Sequence, residues 1–105
     1  MIWNNHLYVG ESVSLKLQKL KWRINHNAGV LGVYLISLAS NPDNLLDIIP
    51  STDLKLLGYQ KRFLHIIGIA GSYDEAVELV IQIVNDTMKA QGDLDVRGFL
   101  KEDQE

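Results

Sequence analysis

Two rhythms of apolar positions organise this chain, and each predicts a different kind of element. Val13, Leu17, Leu20 and Ile24 recur at intervals of four, three and four, the stripe of a helix over about residues 13 to 26, with Ser12 as its N-cap. A longer helix is predicted from Tyr73 to Gln91, where Ala76, Leu79, Val80, Ile83, Val84 and Thr87 share one face and Glu75, Glu78, Gln82, Asp86 and Lys89 face away. Val77, Ile81 and Met88 widen its apolar sector beyond what a small sheet covers. The other rhythm is the short β-rich run. IWNNHLYV at residues 2 to 9 reads as a polar edge strand, and VLGVYLISLA (30 to 39) and FLHIIGIA (63 to 70) read as strands buried on both faces.

Turn chemistry separates these elements. Ser40-Asn41-Pro42-Asp43 has a cap followed by proline at a first helical position, which predicts a short helix through about Ile49, stopped by Pro50. Ser51 to Asp53 predicts a further turn or two, ended by Gly58, and Gly92 stops the long helix. The tail has Leu94, Val96, Phe99 and Leu100 available to dock before residues 101–105 fray. The resulting order, βαβαβα with a tail element, predicts one α/β domain over residues 1–105. Its expected architecture is a small, open, mostly parallel three-stranded sheet with helices on its faces, the second and third strands adjacent.

Composition changes this picture little. The chain has 105 residues, 47% hydrophobic and 22% charged, ordinary values for a globular fold. It has no cysteine, which removes disulfides, thiolate metal sites and cysteine nucleophiles. The opening MIWNNHLYVGE has no basic segment followed by a signal-length apolar run, and the apolar runs elsewhere fall short of the roughly 20 residues a bilayer crossing needs. Cytoplasm is the expected location. The net charge of −3 argues against general nucleic-acid binding, and it is unevenly spread. Residues 1 to 62 carry +3 and residues 63 to 105 carry −6, a complementarity that favours packing or association.

Candidate chemistry is sparse. Two loops are expected at the carboxyl ends of strands, where helix N-termini offer free N–H groups to a small anionic ligand: Ser40, Asn41 and Asp43 in one, Gly68, Gly71 and Ser72 in the other. Neither carries a phosphate-loop motif, and Ser72 with Glu75 three residues on fits a capping box that explains the second loop without a ligand. His6, His26 and His65 show no metal-ligand spacing, His65 being expected as a hydrogen-bonded residue on a strand. No catalytic residue, cofactor or metal is implied. The apolar surplus is the stronger signal: Leu15 and Trp22, seven apart on the far side of the first helix, join Val77, Ile81 and Met88 as candidate interface residues. The expectation is a non-enzymatic interaction domain that forms a homodimer, with small-anion binding as the alternative.

Overall fold

The computed structural model describes residues 1–39 and 44–103. It contains a four-stranded mixed sheet, which corrects the expected three-stranded, mostly parallel one. The strands are β1 (Ile2–Val9), β2 (Tyr34–Leu38), β3 (Leu46–Pro50) and β4 (His65–Ala70), in the spatial order β1-β4-β2-β3. Only β1 and β4 are parallel; β2 runs antiparallel to both β3 and β4.

The difference arises in the segment expected to be a helix ending at Ile49. Seven residues separate β2 from β3, too few for the crossover that parallel neighbours require, and Leu46–Pro50 pairs with β2 as an antiparallel edge strand. The register is unbroken from Tyr34↔Pro50 to Leu38↔Leu46. Ser51 then opens a run of 3-10 turns to Phe63, longer than the one or two turns expected. The second strand is also shorter than its apolar run: Val30 is held out of the sheet by the Ser51 hydroxyl, which accepts from its N–H (3.0 Å) and donates to its carbonyl (2.8 Å).

The first helix departs from expectation as well. Glu11–Lys16 is a 3-10 segment, followed by α1 (Leu17–Asn25). Ser12 caps neither, because its hydroxyl is bonded elsewhere. The long helix α2 (Tyr73–Gln91) starts at an N-cap Ser72 that accepts from Glu75 N–H and ends at Gly92, whose φ of 75° is the left-handed conformation that glycine adopts without strain. The tail forms a short helix, α3 (Val96–Asp103), which buries Val96 and Leu100.

Two apolar layers sandwich the sheet. On one face Leu35, Ile66 and Ile69 meet Val13, Leu20, Ile24 and Leu54 from the 3-10 segments and α1. On the other, Ile36, Ile67 and Ala70 meet Ala76, Leu79 and Ile83 of α2 with Val96 and Leu100 of α3. Side chains that disappear so completely from water supply the main stabilisation, about 1.5–3 kcal/mol each.

The two edges of the sheet differ. Along β1 the register slips from Trp3↔Ile66 to Tyr8↔Gly68, so β1 advances five residues while β4 advances two. Asn4 holds this bulge. Its side chain is buried, donates to His6 O (2.8 Å) and accepts from His65 Nε2 at 3.1 Å. At the opposite edge β3 is regular and unbulged, with no further strand beside it among the described residues.

Candidate functional site

Three places in the molecule could hold chemistry: the carboxyl ends of the parallel strands, a cleft along β1, and the surface formed by α2 and β3. Gly10 and Gly71, the residues that follow β1 and β4, lie at the strand ends, with Gly10 N–H donating to Ile69 O at 2.8 Å. In this position an open sheet presents N–H groups to ligands. Here they meet a side chain of the protein itself. The Glu75 carboxylate accepts from Gly71 N–H (2.7 Å), from the Ser12 hydroxyl (2.6 Å) and from Ser12 N–H (3.3 Å).

The Ser72–Glu75 pair is therefore half of the expected capping box. Ser72 Oγ accepts from Glu75 N–H at 3.1 Å, whereas the carboxylate reaches Gly71 and Ser12 rather than Ser72 N–H. The Gly71 N–H first, and then the Ser12 hydroxyl, hold the carboxyl of Glu75 below its ordinary value. Gly10 makes room for this arrangement, since a Cβ there would collide with the carboxylate of Glu75. Gly68, placed by sequence in the same loop, is buried within β4. Ser40, Asn41 and Asp43 lie outside the described residues. An anion entering between Gly71 and Ser12 would have to displace Glu75.

The cleft beside β1 encloses about 620 Å³ and is lined by the bulge residues Asn4 to Val9, by Leu17, Gln18 and Lys21, and by Asp86 and Phe99. Several of its polar groups already have partners within the protein. Tyr8 OH donates to Asp86 Oδ2 (2.7 Å), Asn4 spans His6 and His65, and Lys21 Nζ lies 5.3 Å over the Trp3 ring, a cation–π contact. His65 is half-buried, and its imidazole is held below its ordinary pKa by burial and secondly by the charge of Arg97. Arg97 itself donates to the carbonyl of Ala39. Among the described residues no group of three or more His, Asp or Glu side chains is placed to hold a metal ion, and no helix is long and apolar enough to cross a membrane.

The third surface is apolar. At 100° per residue, Val77, Val80, Ile81, Val84 and Met88 fall on one flank of α2, beside the buried row Ala76, Leu79, Ile83 and Thr87. The other flank carries Glu75, Glu78, Gln82, Asp86 and Lys89, and its bonds from Glu75 to Ser12 and from Asp86 to Tyr8 point it toward β1. The apolar flank therefore lies toward β3. Val80 packs into the cluster that includes Leu46 and Ile48, and beyond it Ile81 is 55% and Met88 46% exposed. Val77 and Val84 are half-buried. Of the other interface candidates, Leu15 projects fully into solvent from the 3-10 segment, and Trp22 is exposed on α1, stacked on His26 with ring centroids 4.1 Å apart.

Sequence reasoning brought Val77, Ile81 and Met88 to this surface but missed Leu46, Ile48 and Pro50 beside it. A signal was present: LDIIP ends in proline, which a strand tolerates at an edge. No family model, no curated protein and no solved structure matches the chain.

Proposed function

We propose that this protein is a non-enzymatic interaction domain that self-associates through the surface formed by the apolar flank of α2 and the neighbouring strand β3. The observation that carries this reading is the exposure of Ile81 and Met88 on a flank that continues onto the half-buried residues Leu46 and Ile48 at an open sheet edge. Exposed aliphatic groups at helical spacing gain about 25 cal/mol for each Å² they withdraw from water, and a second copy offers a surface of the same chemistry. The opposite charges of the two halves of the chain add a longer-range attraction between copies. Sedimentation equilibrium at tens of micromolar tests the reading. A dimer is the expected species, and a single monomeric species across the concentration range would sink it.

A further inference from the structure

We infer that the second copy joins edge to edge, β3 against β3, antiparallel about a two-fold axis at Ile48; this rests on the self-association proposed above and specifies its geometry. The inference comes from the direction of the backbone groups. Ser51 N–H donates to Val33 O (2.9 Å) and Ala39 N–H to Leu45 O (3.4 Å), at the two ends of the β2–β3 ladder. Hydrogen-bonded pairs alternate along an antiparallel ladder, and with this register they are 33/51, 35/49, 37/47 and 39/45. The amides of Asp47 and Ile49 are therefore turned inward to β2. Those of Leu46 and Ile48 are turned outward to the open edge, as is the ring nitrogen of Pro50, which has no hydrogen to donate.

This outward row is self-complementary about Ile48. Placed antiparallel against a second β3, Ile48 exchanges both of its backbone bonds with the partner's Ile48. Leu46 N–H then donates to the carbonyl of the partner's Pro50, and the symmetric bond forms on the other side. Both outward N–H groups of each strand are used, and the hydrogen that Pro50 lacks leaves only the carbonyl of the opposing Leu46 without a bond on each side. Moving the axis one residue, to Asp47, would also pair outward groups, Leu46 with the partner's Ile48, but it would set the two Asp47 carboxylates directly opposite each other, a like-charge pair that disfavours that register. On the α2 face the joint brings Leu46, Ile48 and Pro50 of the two copies side by side, between the two apolar flanks of α2. Pairing also stops after one step, because the other edge of the sheet is bulged at Asn4 to Leu7 and offers no regular ladder to a third copy.

Residue-resolved amide exchange of the intact chain, at two protein concentrations, tests this geometry. The amides of Leu46 and Ile48 are expected to exchange at least about tenfold more slowly in the dimer than after dilution to monomer, while those of Asp47 and Ile49 are protected at both. Ile48→Pro removes one outward donor per copy without touching a bond to β2, and is expected to raise the dimer dissociation constant by about tenfold or more. A dimer in which Leu46 and Ile48 exchange as fast as in the monomer would overturn edge pairing while leaving self-association in place. A chain that is monomeric throughout would overturn both.

Discussion

At the scale of single residues, the side chain of Glu75 ties the start of α2 to the turn after β1. Three of its features were separately visible in the sequence: a serine three residues before it, a glycine turn, and its place in the first turn of a helix. Its bond to Ser12 was not, because 63 residues separate the two and no local rule links them. Gly10 is expected to be intolerant for the same reason. Its added Cβ would meet only the movable end of Glu75, so the cost of Gly10→Ala is the loss of that carboxylate's bonds rather than a backbone clash. Gly10→Ala and Glu75→Ala are each expected to lower stability by about 1 kcal/mol, and the double variant by little more than either, as urea denaturation of all three would show. Acid supplies a second check. Since Gly71 and Ser12 depress the carboxyl pKa in the folded protein, the stabilisation is present above the ordinary glutamate range and disappears as pH falls through the lowered folded value. The melting temperature should therefore fall through that window, and Glu75→Gln should flatten that part of its pH profile.

At the scale of elements, legibility follows length. The nineteen residues of α2 repeat their pattern five times over, and both of its ends carry local signals in Ser72 and Gly92, so its limits are readable from sequence. β3 has five residues, too few for a period to declare itself, and it is preceded by Ser40-Asn41-Pro42-Asp43, which has the composition of a helix start. Its pairing with β2 decides its conformation, and that is tertiary information. The first helix shows the reverse effect: its apolar stripe is right for Leu20 and Ile24, yet the segment before Leu17 is drawn into 3-10 turns while Ser12 bonds Glu75. Within α2, neighbouring isoleucines should behave oppositely. Ile83 is fully buried, and Ile83→Lys is expected to abolish folding, as circular dichroism would report. Ile81 is 55% exposed, so Ile81→Lys should leave the melting temperature of the monomer within about 2 °C while weakening association in sedimentation.

At the scale of the whole molecule, three of the four strands and the helices on both faces follow from the apolar runs, but β3 and the strand directions do not, because a buried strand reads alike in parallel and antiparallel neighbourhoods. The single parallel pair is β1 with β4, and it joins the two most distant parts of the sheet: Ile2 lies opposite His65, and its N–H donates to Leu64 O at 2.8 Å. Closing so long a loop has an entropic cost that the β2–β3 pair, adjacent in sequence, largely avoids. Substitutions in the β2–β3–β4 core, such as Leu35→Ala, are therefore expected to slow refolding, and Val9→Ala in β1 mainly to hasten unfolding, as stopped-flow kinetics would distinguish. During synthesis the consequence is a delay. β1 leaves the ribosome before the strand it must join, which lies more than fifty residues further along, so β1 waits unpaired until β4 has been made. The polar, bulged sequence of β1 suits that wait, since Asn4, Asn5 and His6 make a poor template for other exposed strands during the interval.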